Sequence, residues 1–156
     1  MKFSEKLKFL LTKTPQPEIR EDAEVVEERK NMIEGVGELS ETMVREVMVP
    51  RIDVQFVSDH TTLEEMYKLI AEQGYSRYPV FADTIDNVIG ILYVKDILKR
   101  SPETPFSIKS IMRKPYFVPE TKRLDDLLRE FKKRRVHIAV AIDEYGGVSG
   151  IVSMED

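Results

Sequence analysis

The sequence predicts an α+β fold built from two β-α-β-β-α units that are related by a pseudo-twofold axis and preceded by N-terminal helices. The first observation is that residues 76–96 and 136–156 match each other at a shift of 60 residues. The second is that each stretch reads as a strand, a turn, a second strand and a final acidic residue. The matched positions are Val80/Val140, Asp83/Asp143, Val88/Val148, Gly90/Gly150, Ile91/Ile151 and Asp96/Asp156. A repeat at a fixed period indicates a duplicated unit, so we expect the function to lie between the two copies.

Composition excludes several classes of function. The chain has 156 residues, 42% hydrophobic and 33% charged, with a formal net charge of −4 and no cysteine. Disulfides, zinc–thiolate sites and cysteine nucleophiles are therefore excluded, and nucleic acid is not expected as a partner because no basic face is evident. The apolar runs are too short for a transmembrane helix, and the charged start does not read as a secretory signal. We expect a cytoplasmic protein, either free or peripheral to the inner face of the membrane.

Residues 1–42 are predicted to be an N-terminal helical segment. Apolar residues of 1–13 share one helical face, which fits either a membrane- or subunit-binding helix or a helix docked on its own domain. Two prolines then form a spacer, and a helix is predicted over about 21–34, weakened afterwards by two glycines. The acidic run of 21–28 fits a solvated helix face better than a cation site, because its spacing is not that of a ligand loop.

The first repeat is predicted to span residues 43–102. It opens with Val44–Arg51, and a short alternating strand over 53–57 follows. A helix then begins at Thr61 or Thr62 and ends at Gly74. Two strands follow, over 78–82 and 88–94. Asp96 is then expected to cap the last helix.

The second repeat is predicted to span residues 103–156 in the same order, with a strand over 117–119 and a helix over 123–133. Its shift from the first repeat is 64 at Met48/Met112, 61 at Leu63/Leu124 and 60 from Val80 onward. Its final helix is missing after Asp156, and we expect the natural chain to continue past that residue.

A short repeated motif and four longer sequence strings each resemble a known protein family. The pattern Gly-x-x-Ser/Thr-x-x-Asp is complete at Gly150, Ser153 and Asp156, whereas Tyr93 replaces the hydroxyl residue in the first repeat. With the duplicated β-α-β-β-α order, this resembles a tandem pair of cystathionine-β-synthase (CBS) domains, called a Bateman module. Longer strings are similar to the CorC/hemolysin-C and CNNM group of magnesium and cobalt efflux proteins. They are Arg45–Arg51, Gly74–Val80, Val94–Leu98 and Ile142–Gly150.

The resemblance implies a site for an adenosine nucleotide, ATP or AMP, with or without magnesium. Strand starts would flank the base, Asp156 would bind the ribose hydroxyls, Ser153 would lie near a sugar or phosphate oxygen, and Arg77 would bind phosphate. The implied residues are Tyr75, Ser76, Arg77, Tyr78, Pro79, Asp96, His137, Ile138, Ala139, Ser153 and Asp156. A homodimer and a membrane transport partner are also implied. Purely structural interpretations stay open, since Asp96 and Asp156 could simply cap helices and Pro79 could simply start a strand.

No enzyme is predicted. His60 and His137 have no partner at ligand spacing, and the glycines after Asp143 join two strands rather than a strand and a helix, as a dinucleotide fingerprint requires. The alternative to a regulatory nucleotide-binding module is a structural dimerisation module with a vestigial cleft, which the tyrosine at position 93 favours.

Overall fold

A computed structural model describes residues 23–154. The predicted helix of residues 1–13, the start of the acidic run and Asp156 lie outside this range. Among the described residues, no helix combines the length and the apolar character needed to cross a membrane.

The first described helix, α1 (Ala23–Glu41), is longer than predicted because it continues through Gly35 and Gly37. Each glycine weakens a helix by only about 1 kcal/mol. The end of α1 packs against the second repeat, where Leu39 is 2% exposed. Burial of such a side chain contributes about 1.5–3 kcal/mol, which is enough to hold the last turns of the helix together.

The first repeat follows the predicted order, with an additional short helix and strand at its start. Its elements are α2 (Val44–Val47), β1 (Val49–Pro50), a 3-10 turn (Arg51–Asp53), β2 (Val57–Ser58), α3 (Leu63–Gln73), β3 (Arg77–Phe81), β4 (Val88–Tyr93) and α4 (Val94–Lys99). The predicted limits of α3 are confirmed. Thr62 and Glu65 form a reciprocal capping box at its start, and Gly74, with φ 69°, ends it in the left-handed conformation.

The second repeat has the same order up to its hairpin, except that residues 112–116 contain no counterpart of the 3-10 turn and only an isolated bridge at Arg113 in place of β1. Its elements are α5 (Ile108–Ile111), β5 (Phe117–Pro119), α6 (Leu124–Arg134), β6 (Ile138–Ile142) and β7 (Val148–Ser153). The sheets have the orders β2-β3-β4 and β1-β7-β6-β5. The strands β2 and β5 are parallel to their neighbours β3 and β6, and the hairpin strands of each repeat are antiparallel. Both sheets and the helices on them confirm the predicted α+β architecture.

The two repeats exchange the segments that precede them. β1 pairs with β7 of the second repeat, Val49 opposite Ile151, and Arg113 correspondingly bridges to Ile91 of β4. The cores are exchanged in the same way, since Val44 lies in the core of the second repeat and Ile108 in that of the first. Each repeat is therefore completed by the segment that leads into the other.

The strand pairing corrects the predicted alignment of the repeats by one residue. Val80 pairs with Gly90, and Ala141, not Val140, pairs with Gly150. The shift is therefore 61 in β6 and 60 in β7, and the alignments Val80/Val140 and Asp83/Asp143 were wrong. The reason is that one residue is lost within the second hairpin loop. A slip of one residue turns every side chain of a strand to the opposite face, so the correction decides which residues of β6 are core.

A third apolar cluster lies between the repeats. It consists of Val88, Ile91, Tyr93, Ile138, Val140 and Val148, with Phe56 and Ile151 partly buried against it. Both hairpins contribute to this cluster, so it joins the halves of the molecule. Beside this cluster, a cleft opens where β3 and β6 begin and β7 ends.

Candidate functional site

A cleft of about 400 Å³ lies between the two repeats. It brings together six of the residues predicted from the sequence, namely Tyr75, Ser76, Arg77, Pro79, Ile138 and Ser153. Val49, Asp53, Val54, Gln55, Gly74 and Ile151 complete its lining. Because both repeats contribute, the cleft exists only when they are packed together.

The wall from the first repeat is the segment that joins α3 to β3. Gly74 turns the chain at the end of α3, and Tyr75 then packs edge-on against Tyr78, with 6.0 Å between the ring centroids. Tyr75 is half exposed, while Arg77 is the first residue of β3 and is partly buried. This wall therefore presents an aromatic ring, a hydroxyl and a guanidinium to the cleft.

The wall from the second repeat is mainly apolar. Ile138 and Ser153 are paired at the ends of β6 and β7, and Ile151 and Val49 are paired beside them. Ser153 is 8% exposed, and among the described residues it is the polar one that is buried. Opposite the guanidinium of the first wall, the cleft thus offers aliphatic side chains with one hydroxyl.

The third side of the cleft, formed by Asp53, Val54 and Gln55, was not predicted from the sequence. These residues were predicted to form a strand, but Asp53 ends the 3-10 turn, and Val54 and Gln55 lead from it towards β2 in an irregular conformation. The side-chain Oε1 of Gln55 accepts a hydrogen bond of 2.9 Å from the side-chain Nε2 of Gln73, which ties this segment to the end of α3. The strand β2 is only two residues long, although Val54 and Phe56 alternate with polar residues as in a longer strand.

Three predicted residues lie elsewhere. Tyr78 and Ala139 are fully buried, in the cores of the first and second repeats respectively. Burial raises the pKa of the Tyr78 phenol, as expected for a group removed from water. His137 is exposed and does not line the cleft, and its backbone carbonyl accepts from the Met154 amide at 2.9 Å.

Asp96 also differs from its prediction as a helix cap and cleft residue. Because α4 already begins at Val94, Asp96 lies within the first turn and does not cap it. Its two carboxylate oxygens accept hydrogen bonds from Nε and Nη2 of Arg113, at 2.8 and 2.9 Å. This fork lowers the pKa of Asp96 and raises the pKa of Arg113, since each charge stabilises the other.

The ring of Tyr93 connects this ion pair to the cleft. The Arg113 guanidinium carbon lies 4.1 Å from the ring centroid, and that of Arg77 lies 5.0 Å from it. Tyr93 is only 6% exposed, so both cations lie on a largely desolvated ring, where cation–π attraction is strongest. Tyr93 therefore helps to position Arg77, which the sequence motif alone did not indicate.

No resident metal centre is evident in the part of the chain that the structure describes. Residues 23–154 contain no cluster of three or more histidine, aspartate or glutamate side chains that could hold an ion. The chemistry that this cleft supports is binding, with an apolar slot at one end and hydrogen-bond donors at the other.

Comparison with known proteins agrees with the duplicated architecture. The model of the CBS domain family matches the chain twice, at residues 44–103 and 108–156. The chain belongs to the CBS domain family. A solved CBS domain of the bacterial CNNM/CorC family Mg²⁺ transporter, in complex with ATP, is 40% identical, with a TM-score of 0.77 over 82% of this chain and 92% of that one. The CBS pair is thus of the CNNM/CorC type.

Curated relatives of the CBS pair point to the same group. Hemolysin C of Brachyspira hyodysenteriae is 43% identical over 132 residues, which cover 85% of this chain and 49% of the relative. The magnesium and cobalt efflux protein CorC of Escherichia coli K12 is 41% identical over 132 residues, which cover 83% of this chain and 45% of the relative. The chain thus spans about half the length of these relatives.

Proposed function

We propose that the CBS pair binds an adenosine nucleotide between Arg77 and Ser153 and thereby regulates magnesium or cobalt efflux by the protein to which it belongs. The observation that carries this proposal is the composition of the cleft, which places a guanidinium and a hydroxyl from different repeats around an aliphatic slot. Its volume of about 400 Å³ is in the range of small-molecule sites.

Each part of a nucleotide has a complementary part of the cleft. The aliphatic side chains of Val49, Ile138 and Ile151 would cover the faces of the base, which is planar and weakly polar. Arg77 would bind phosphate, because its planar guanidinium offers paired donors to phosphate oxygens. Ser153 would donate to a sugar or phosphate oxygen, and we propose that Asp156, three residues further along the chain, accepts the ribose hydroxyls.

The choice of ATP over AMP rests on the similar CNNM/CorC domain whose structure is described as a complex with ATP. Magnesium would then enter with the nucleotide, since this ion is commonly held by substrate phosphates and few protein ligands. The cleft supplies one carboxylate on its rim, that of Asp53, which is exposed.

Regulation would follow from the position of the cleft between the repeats. A ligand that contacts both repeats stabilises arrangements in which the two walls are at the correct distance, and so shifts the population toward them. We propose that residues 43–102 and 103–156 act as the two halves of this switch, and that residues 1–42 form an N-terminal segment whose helix α1 packs on the second repeat. We also propose that a homodimer of the CBS pair passes the change to a membrane transport partner.

Calorimetric titration with ATP, ADP and AMP, each with and without magnesium, tests this function. We expect saturable heat for at least one nucleotide, which Arg77→Ala reduces and Arg129→Ala leaves unchanged. Arg129 is a suitable control because it is an exposed arginine on α6 that pairs only with acidic residues of its own helix among the contacts described. Absence of heat for all three nucleotides would refute the proposal.

The structural dimerisation module remains the second candidate, and the Arg113–Asp96 pair favours it because this pair occupies polar groups that a nucleotide would use. In that case sedimentation analysis would show a dimer whose association constant is the same with and without nucleotide. Nucleotide-dependent association would instead favour the regulatory function.

A further inference from the structure

One carboxylate joins the two repeats at the end of the hairpins that lies away from the cleft. Asp86 lies in the loop between β3 and β4, and its Oδ1 accepts a hydrogen bond of 3.0 Å from the backbone N–H of Val148, the first residue of β7. The same oxygen accepts a second hydrogen bond, of 2.9 Å, from Nη1 of Arg51. Val148 is only 1% exposed, so the carboxylate serves an amide that water hardly reaches. We call these three residues the hairpin clasp.

Arg51 connects the hairpin clasp to the third side of the cleft. It is the first residue of the 3-10 turn Arg51–Asp53, and Asp53, the last residue of that turn, lines the cleft together with Val54 and Gln55. The Val54 amide donates to the Arg51 carbonyl at 3.3 Å and closes the turn. Because the turn is this short, the position of Arg51 sets the course of the chain along the cleft.

The clasp acts on the cleft from outside it. Neither Arg51 nor Asp86 is among the residues that line the cleft. Their side chains are 36% and 50% exposed, and an ion pair at such exposure contributes little to the stability of a whole domain. The effect of the clasp is therefore expected in the position of residues 53–55, whose other end is held by the bond between Gln55 and Gln73.

We propose that Arg51 and Asp86 are positioning residues for the nucleotide cleft, which hold its third side in place against the start of β7. This inference rests on the proposed function of the cleft. Without the clasp, the third side occupies its place in a smaller fraction of molecules, and the apparent dissociation constant rises in inverse proportion to that fraction. The coupling is reciprocal, so a bound nucleotide keeps the clasp closed for a larger share of the time.

A double-mutant cycle on ATP affinity tests the positioning role. We expect Arg51→Ala and Asp86→Ala each to raise the dissociation constant about threefold to tenfold by calorimetry. The double variant should bind no more weakly than the weaker of the two single variants, because both changes open the same clasp. An unchanged affinity of Asp86→Ala would overturn the inference, and a loss confined to Arg51→Ala would do the same by showing that Arg51 contacts the nucleotide itself.

Asp83→Asn is the matched control for Asp86→Ala. It removes a carboxylate from the same loop, and asparagine tolerates the left-handed backbone, with φ 66°, that Asp83 adopts. The ATP affinity of this variant should equal that of the original chain. An equal loss in Asp83→Asn and Asp86→Ala would show that the charge of the loop, not the clasp, affects binding.

Hydrogen exchange in the unchanged protein tests the reciprocal effect without any substitution. Saturating ATP should slow exchange of the Val148 amide at least about threefold more than exchange of the Gly147 amide. Gly147 is the matched control because its amide donates to Asp143 of its own loop, at 2.8 Å, and does not join the repeats. Equal slowing at both amides would contradict the coupling between the clasp and the cleft.

A measurement without nucleotide separates this inference from the proposed function. In Asp86→Ala the NMR amide resonances of Val54 and Gln55 should shift, whereas Asp83→Asn should leave them in place. If the original chain bound no ATP, the proposed function would fail, yet shifted resonances would still show that Asp86 positions this segment. Unshifted resonances of Val54 and Gln55 would refute the positioning role whether or not ATP binds.

Discussion

Arg77 and Ser153 line the same cleft from opposite repeats. Arg77 begins the inner hairpin of the first repeat, and Ser153 ends that of the second. The apolar cluster of the two hairpins brings these chain segments together, and the exchange of β1 onto β7 adds Val49 between them. The position of the site therefore depends on the association of the repeats more than on either repeat alone.

The guanidinium of Arg77, rather than its charge alone, is expected to determine phosphate binding. Arg77→Lys keeps the positive charge but loses both the planar fork and the stacking on Tyr93. Hydrogen bonds to charged groups contribute about 1.5–3 kcal/mol, so we expect ATP affinity to fall at least about tenfold by calorimetry. Arg129→Lys on the surface of α6 is the matched control and should have no effect. Equal affinities for the original chain and Arg77→Lys would show that Arg77 acts only as a point charge.

Gly150 is expected to tolerate no side chain, because β1 passes directly over it. A Cβ atom at this position would overlap the backbone carbonyl of Val49, and the paired strand cannot move away without losing its hydrogen bonds. We expect Gly150→Ala to lower the free energy of unfolding by about 1–3 kcal/mol in urea denaturation.

Gly37→Ala provides the control for that substitution. Gly37 lies within α1, and an added Cβ would meet no atom within 4 Å. Alanine is the better helix former, so this change should raise the free energy of unfolding by about 0.5–1 kcal/mol. The same loss of stability in both variants would contradict the close approach of β1 and β7.

The helix α1 is expected to be an integral part of the second repeat. Leu39 lies in that core with Leu127 and Phe131, so Leu39→Ala should cost about 2–5 kcal/mol in the free energy of unfolding. Ile33→Ala, on the same helix at 74% exposure, should change stability by no more than about 0.5 kcal/mol. If both variants unfold at the same urea concentration as the original chain, α1 does not stabilise the repeat.

The Asp96–Arg113 pair is expected to make stability depend on pH in the acidic range. The folded-state pKa of Asp96 is lowered by Arg113, so the unfolded chain binds more protons in mild acid. The stabilisation is complete above the unfolded pKa of about 3.9 and is lost as the pH falls through the lower, folded pKa. In urea denaturation, the original chain should therefore be more stable than Asp96→Asn by a constant amount between pH 7 and about pH 5.

Below about pH 4 that difference should shrink as the carboxyl group becomes protonated. Glu103→Gln, at an exposed position in the linker between the repeats, controls for the general effect of removing one carboxylate. A difference between the original chain and Asp96→Asn that does not vary with pH would exclude ionic pairing as the source of the stabilisation.

The duplicated unit and the limits of α3 could be predicted from the sequence, and the family resemblance added the residues of the first wall. These depend on local signals: a capping box at Thr62, a left-handed glycine at position 74, and a motif that recurs at a nearly constant spacing. Such signals act over a few residues, so they are readable without knowledge of distant contacts.

The register of β6, the exchange of β1 and the ion pair of Asp96 depend on contacts between segments that are distant along the chain. The strand β6 is shifted by 61 residues from β3 because the second hairpin loop is one residue shorter, and its pairing with β7 shows which of its residues face the core. From the sequence, Asp96 is predicted to be a helix cap or a ribose ligand. In the structure Arg113, which is distant along the chain, binds both of its carboxylate oxygens. The ionic partner of a carboxylate is the cation that folding brings within hydrogen-bond distance. For Asp96 this cation is Arg113, which the packing of the two repeats places beside it.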